Sequence, residues 1–285
     1  MTKIPGPLGT GKAVRQARLI DPVRGRGFCV AFDHALQLGA CPGQEHPEES
    51  LAQMAEAKVD AVILPLGTAQ RVGPVLARNR GPALILRLDQ TTMWREGTPL
   101  DYPDGHTRLV ASVEDALRLG ADAVITYLFV GHNDPAEETR CMQANAAVNA
   151  AARAAGMPHI IETMSARHAL PGSDVFTADL VKWHTRIGVE MGADIIKTDW
   201  PGSATALAAI AKSLPVPMML AGGARQNSDI ETLRQVSDIV HAGAAGILFG
   251  RAIFQAGNPL AMMKACHAVI HEDLSAPEAA SRFGL

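Results

Sequence analysis

Lys197 closes an apolar run, Ala193-Asp194-Ile195-Ile196-Lys197-Thr198-Asp199, and Pro201-Gly202 follow shortly after. A short apolar run stopped by Pro-Gly reads as a buried strand that carries one amine to its C-terminal rim. An ammonium is costly to desolvate, so an apolar surround would lower its pKa and enlarge the fraction of free amine. Free amine condenses with a carbonyl to a Schiff base, whose protonated nitrogen is an electron sink for carbon–carbon cleavage. The competing reading is a rim lysine salt-bridged to Asp199 or Asp33.

Such chemistry needs groups that move protons. Glu162, in His159-Ile160-Ile161-Glu162-Thr163-Met164, lies one predicted strand before the lysine. Burial behind two isoleucines would raise its pKa toward the range useful in general acid–base catalysis; pairing with Lys197 or a nearby arginine is the alternative. Asp33, beside His34, either holds the lysine or a substrate hydroxyl, or caps the next segment. Asp89, with His34, is a candidate substrate contact, and both Asp89 and Tyr127 also suit ordinary hydrogen bonding at a rim.

Two glycine-bearing segments occur late in the chain, Leu220-Ala221-Gly222-Gly223 and Ile247-Leu248-Phe249-Gly250-Arg251. Glycines let backbone N–H groups approach an anion, and an arginine can grip two oxygens at once. Gly222, Gly223, Gly250 and Arg251 are therefore candidates for holding a phosphate, with plain turn architecture as the other reading.

The elements that must position these residues form an alternating pattern. Apolar runs at Gly27 to Asp33, Ala61 to Pro65, Ala83 to Asp89, Ala123 to Phe129, His159 to Met164, Ile195 to Asp199, Met218 to Gly223 and Gly246 to Arg251 read as strands. Amphipathic stretches at Pro47 to Ala57, Val113 to Leu119, Ala136 to Ala155, Asp174 to Met191, Ala204 to Ser213, Ser228 to Ala242 and Pro259 to His271 read as helices. Strands alternating with helices predict a parallel sheet, and about eight strands close a barrel. A doubly wound sheet would favour a GxGxxG fingerprint after the first strand, and none is there. The expectation is an α/β chain forming a single (β/α)8 TIM barrel over residues 1–285, with an N-terminal extension at 1–26, the barrel core at 27–255 and a C-terminal helical segment at 256–285. The extension would lie across the barrel bottom or reach a neighbouring copy. Gly-Ala-Asp recurs ahead of strands, at Gly120-Ala121-Asp122 and Gly192-Ala193-Asp194, where glycine suits a helix end turning into a strand.

Composition narrows the function. The 285 residues are 47% hydrophobic and 19% charged, ample for a sizeable core. A formal net charge of -3 and a pI near 6.4 give no basic field, so nucleic acid is not an expected partner. No apolar run approaches the roughly 20 residues that span a bilayer, and no signal peptide is seen, so a cytoplasmic protein without membrane attachment is expected. Four scattered cysteines, Cys29, Cys41, Cys141 and Cys266, form no Cys-x-x-Cys pair, which fits a reducing compartment. His267 and His271, and His132-Asn133-Asp134, offer metal donors but no three-ligand open site, so no metal is expected.

Three segments together resemble the class I aldolases of the DeoC/FbaB/LacD superfamily, especially archaeal-type fructose-bisphosphate aldolases. They are Phe32-Asp33-His34, Ala193 to Thr198, and Ala221-Gly222-Gly223 through Ala242-Gly243-Ala244-Ala245-Gly246 to Gly250-Arg251-Ala252-Ile253-Phe254-Gln255. The resemblance implies a TIM barrel, a Schiff-base Lys197, a supporting Asp33, and a substrate phosphate on Gly222, Gly223, Gly250 and Arg251. It also implies a phosphorylated sugar substrate, no cofactor, and a homo-oligomer of unspecified number. Archaeal-type members carry a tyrosine acid–base after strand five, where Met164 aligns here. Glu162 instead resembles the glutamate of the tagatose-bisphosphate and sulfofructose-phosphate aldolases. Some relatives are transferases, one resembling a thiolase acting on a phosphorylated dione, so an acyl or aldol transfer, or a phosphosugar-binding regulator, stands beside aldol cleavage.

Overall fold

Strands apolar on both faces can be buried only where helices cover a parallel sheet outside and side chains fill it inside. The chain's computed structural model, which describes residues 9–77, 81–95, 98–100, 105–166, 177–223 and 228–285, has that form. Its strands are β1 (Gly27–Ala31), β2 (Ala61–Pro65), β3 (Ala83–Arg87), a short pair β4 (Asp89–Thr91) and β5 (Thr107–Leu109), then β6 (Ala123–Val130), β7 (His159–Ser165), β8 (Ile195–Thr198), β9 (Met218–Ala221) and β10 (Gly246–Phe249). A closed parallel barrel runs β1-β10-β9-β8-β7-β6-β3-β2, while β4 and β5 pair antiparallel beside it. This is the (β/α)8 barrel expected.

The strands whose predicted tips carried Asp33, Asp89, Asp199, Gly223 and Arg251 stop one or two residues sooner. There the backbone leaves the ladder to build the rim. His34 and Arg251 accordingly begin one-turn helices, α2 (His34–Leu38) and α10 (Arg251–Phe254), instead of ending strands.

The helices read from the sequence are present as α3 (Pro47–Glu56), α5 (Val113–Arg118), α6 (Pro135–Ala154), α7 (Ala178–Glu190), α8 (Ala204–Ser213), α9 (Asp229–His241) and α11 (Pro259–His271). Residues 174–176, placed by the sequence in the helix before Met191, lie outside the described residues. Side-chain oxygens of Ser112, Thr177, Ser203, Ser228 and Asn258 accept from the first-turn N–H groups of five of these helices. Missed were α1 (Thr10–Gln16) and α4 (Leu66–Leu76), besides the two single turns, while α12 (Ala276–Phe283) falls in the C-terminal segment read as helical but not delimited there. Pro74 inside α4, with Gly67 and Gly73, hid its helical signal.

Two apolar layers hold the barrel. Inward residues such as Ile63, Ile85, Ile125, Ile160, Ile195 and Met219 fill its interior. The alternate residues, including Val30, Leu64, Leu86, Val124, Ile161 and Ile196, meet the helices outside.

The described part of the N-terminal extension, from residue 9, lies across the floor, the end where the strands begin. From α1, Lys12 Nζ reaches Asp194 at 2.7 Å and Arg15 Nη1 donates to the Gly156 carbonyl at 2.9 Å. Arg18, just beyond the helix, pairs with Asp122 at 2.7 Å. These aspartates explain the Gly-Ala-Asp repeat. Asp194 accepts from the His159 N–H at 2.9 Å, and Asp122 from the Leu84 N–H at 3.3 Å. Asp60, ahead of β2, accepts likewise from Phe28 N–H at 2.7 Å. In each case the residue before a strand bonds the strand preceding it. Gly120 and Gly192 take φ of +69° and +88°, the left-handed turn that ends the preceding helix.

Candidate active site

The inward parity of the strands places the site. Two residues beyond inward Ala31, Ile85, Ile125, Ile160 and Ile195 stand Asp33, Arg87, Tyr127, Glu162 and Lys197. All five continue the interior stack into its uppermost layer, because side chains of alternate residues share a face. Strand register aligns three of them: Tyr127 opposes Glu162, and Glu162 opposes Lys197. Above them opens a cavity of about 730 Å³, lined by Asp33, His34, Glu162, Lys197, Gly222, Gly223, Gly250 and Arg251 among others.

The polar groups form one ionic network. Lys197 Nζ lies 2.6 Å from Glu162 Oε1, with both residues 5% exposed. The other Glu162 oxygen takes a hydrogen bond from Arg87 Nη2. Arg87, with no exposed surface, also donates from Nε to Asp33 Oδ2 at 2.7 Å and from Nη1 to Asp89 Oδ1 at 3.3 Å. Its guanidinium carbon sits 3.8 Å from the Tyr127 ring centroid. A buried guanidinium is tolerable only with such compensation.

These neighbours set the protonation states. Burial pushes the Asp33 carboxyl up, but Arg87, His34 and Lys197 outweigh it, and its pKa ends below the ordinary value. Burial dominates at Asp199 and raises its pKa to about 7, with Glu162 adding to the rise and Lys197 opposing it. Burial likewise lifts Asp89 to about 7 against the pull of Arg87. His34 is driven down to about 4, chiefly by desolvation. The apolar surround expected for Lys197 is not what the structure has: the amine faces a carboxylate.

Close packing accounts for two of the glycines. A Cβ on Gly250 would stand 2.3 Å from His34 Cε1, and one on Gly222 would stand 2.8 Å from the Phe249 ring. Gly223 has open space and a φ of +63°. Arg251 Nε and His34 Nδ1 are buried without a hydrogen-bond partner among the described residues.

The opposite wall is aromatic. Trp94, on the 3-10 turn Met93–Arg95 between β4 and β5, packs edge-on to Tyr127 and Phe129 at 6.4 and 5.7 Å between centroids. Met164 and Tyr127 line the cavity there, and Trp200, just past β8, also lines it. Gln37 on α2 lines it too; its Oε1 accepts from the Thr91 N–H at 2.9 Å, and the Arg95 Nε–H donates to its carbonyl at 2.9 Å.

Eight of the nine residues singled out from the sequence therefore surround one cavity. Asp89 does not line it. It lies behind, bonded to Arg87 and accepting from the Tyr127 N–H at 2.7 Å, so its placement is that of a support and not of a substrate contact. Sequence reasoning missed Arg87, Gln37 and Trp94. Arg87 carried a usable signal, a lone cation ending Ala83-Leu84-Ile85-Leu86, the same signature that exposed Lys197. Trp94 and Gln37 had none, because the hairpin and α2 were unpredicted.

No group of three or more His, Cys, Asp or Glu that could hold a metal occurs among the described residues. His267 and His271 stack on each other, and His271 pairs with Asp60 at 2.8 Å. All four cysteines are free and buried. No described helix is long and apolar enough to cross a membrane.

The sequence model described as DeoC/LacD family aldolase matches residues 28–256. An uncharacterised aldolase of Saccharolobus solfataricus is 35% identical, the match covering 94% of this chain and 97% of that protein. The 2-amino-3,7-dideoxy-D-threo-hept-6-ulosonate synthase of Halobacterium salinarum is 34% identical over 96% of this chain and 97% of its own. Among solved structures, an archaeal fructose-1,6-bisphosphate aldolase whose catalytic lysine is covalently bound to a carbinolamine intermediate superposes with a TM-score of 0.78. It is 23% identical and covers 91% of this chain and 99% of its own, a likeness of fold.

Proposed function

We propose, for a chain that belongs to the DeoC/LacD family of aldolases, a Schiff-base reaction in which Lys197 reversibly cleaves a phosphorylated ketose or close analogue. The products would be a dihydroxyacetone-phosphate-like ketone and an aldehyde. One observation carries the reading: a buried amine and a buried carboxylate lie 2.6 Å apart at the base of a cavity whose rim holds Gly222, Gly223 and Arg251.

That contact supplies the proton path. Passing one proton from Lys197 to Glu162 leaves a free amine beside a carboxylic acid. The amine adds to the ketone carbon, and the new acid protonates the carbinolamine hydroxyl as it departs as water. Glu162, again a carboxylate, then takes the proton of the substrate hydroxyl next to the scissile bond. The bond's electron pair moves into the protonated imine, giving an enamine and releasing the aldehyde. Returning the proton to the enamine carbon, followed by hydrolysis, frees the ketone and the lysine. Asp33 keeps its negative charge beside Arg87 and steadies the cationic nitrogen. Arg251, with a buried Nε lacking a partner among the described residues, and the Gly222-Gly223 backbone suit the phosphate.

A transferase reading rests on the synthase relative from Halobacterium salinarum, and both outcomes share the imine. Incubating the protein with dihydroxyacetone phosphate and borohydride, then weighing its peptides, tests the common step. An adduct on Lys197, absent in Lys197→Met, is expected. An unmodified Lys197 would refute the reading, and product analysis separates cleavage from transfer.

A further inference from the structure

The cavity is chemically lopsided about Lys197. On the barrel, β9 and β10 lie to one side of β8, and β7, β6 and β3 to the other. The first side carries Gly222, Gly223 and Arg251. The second is closed by Trp94, Tyr127 and Met164, with Trp94 propped against the Tyr127 and Phe129 rings. A ketose joined through its carbonyl carbon to Nζ must extend both ways. Among the described lining residues the Lys and Arg side chains are Lys197 and Arg251 alone, so the guanidinium they offer a phosphate is on the β9–β10 side. Arg87, beneath the aromatic side, is fully buried and engaged by Asp33, Asp89 and Glu162. An anion set against Trp94 and Met164 would lose its water with no charged donor among the described lining residues of that side in exchange.

A second observation shows what that end does offer. Gln37 is 2% exposed and lines the cavity, and its Nε2 has no hydrogen-bond partner among the described residues while its Oε1 is fixed by the Thr91 N–H. A buried amide with one unanswered donor is suited to a neutral oxygen. The geometry points to an aldehyde half that is uncharged and largely apolar, packed on Trp94 and Met164, with a neutral oxygen accepting from Gln37. This specificity rests on the imine reading above.

The test keeps the two apart. Dihydroxyacetone phosphate serves as ketone, and phenylacetaldehyde, isovaleraldehyde, glycolaldehyde and glyceraldehyde 3-phosphate serve as partners in aldol addition. Phenylacetaldehyde is expected to exceed glyceraldehyde 3-phosphate in kcat/KM by about tenfold or more, the discrimination an apolar pocket can deliver. Trp94→Ala should bring that ratio toward one, and Trp94→Leu should lower it part-way if the alanine variant does not fold. Borohydride trapping of the ketone alone reports in each sample whether Lys197 is reactive. A Lys197 adduct combined with equal or better use of the phosphorylated aldehyde overturns the inference and leaves the imine reading intact. Absence of any adduct removes both.

Discussion

Arg87 and Glu162 meet across the top of the barrel although β6 stands between their strands: Arg87 Nη2 donates to one Glu162 oxygen while Lys197 holds the other at 2.6 Å. The carboxylate is thus fixed by two cations, and its free rotation is gone. Proton exchange with the lysine follows one line, which is the kind of preorganisation that lowers a barrier without rearrangement at the moment of reaction.

Replacing Arg87 by methionine would leave Asp33 and Glu162 without their shared buried partner. We expect a loss of about 3–5 kcal/mol in stability by denaturant unfolding, the usual cost of breaking a buried ion pair from one side. Arg87→Lys keeps the charge but not the three-way fork, and it should lower kcat more than it lowers the unfolding midpoint. Equal stability of wild type and Arg87→Met would contradict the network described.

Glu162→Gln preserves volume and removes the proton carrier. Its kcat should fall by about 10²- to 10⁴-fold, the contribution typical of a positioned acid–base group. Borohydride trapping should still mark Lys197, more slowly. A variant with wild-type turnover would assign proton transfer elsewhere.

Asp199, raised by burial to about 7, loses its proton in the neutral range. Below that pH it is an acid lining the cavity, and above it an anion. A kcat that declines as pH rises through about 7, and an Asp199→Asn variant lacking this inflection, are expected in pH–rate profiles. A profile unchanged by the substitution would show that the charge on Asp199 does not act on turnover.

Gly250→Ala would set a methyl 2.3 Å from His34 Cε1 and 2.9 Å from the Ala31 carbonyl. Overpacking of this kind costs about 1–3 kcal/mol, and the displaced His34 ring should raise the KM for a phosphorylated ketone. Gly223→Ala, with open space but a left-handed φ of +63°, should cost about 1 kcal/mol through backbone strain alone. Thermal unfolding and steady-state kinetics compare the two.

His184 is buried against Thr163 and its pKa is lowered to about 3 by desolvation, so the folded chain holds it neutral. Its contribution to stability is therefore complete above the unfolded value near 6.5 and is lost as pH falls from there toward 3. Asp89 and Asp199, both raised to about 7, act with the opposite sign: their contribution is complete below about 4 and lost as pH rises through about 7. The informative measurement is the difference in urea midpoints between wild type and His184→Asn. It should shrink as pH falls from 7 to 5; a difference independent of pH would show that His184 is not held neutral.

Much of this architecture was legible in the sequence because strands buried on both faces are continuous apolar runs, and those leading to Asp33, Glu162 and Lys197 end in a charged residue at the inward position. Lys197, Glu162 and Asp33 stood out for that reason. Arg87 has the same signature but was passed over in favour of Asp89, two residues on, which looked like the strand's polar end. The residues that shape the aromatic wall were illegible for a different reason. Trp94 and Gln37 act from a hairpin and a one-turn helix, whose existence depends on packing against the rim and leaves no periodicity behind. Glu162 could be read as buried, but its double engagement by Arg87 and Lys197 arises only when β3, β7 and β8 curve round to face one another.

Asp60, Asp122 and Asp194 fasten neighbouring strands at the barrel floor, and roughly 10 Å of strand separates Asp194 from Lys197. Changes at the floor should for that reason unsettle assembly of the whole barrel, whereas changes in the loops at the opposite mouth should act mainly on catalysis and selectivity. Segments such as the Trp94 hairpin could then be exchanged for foreign ones to redirect selectivity, with the host frame still assembling around its own rivets.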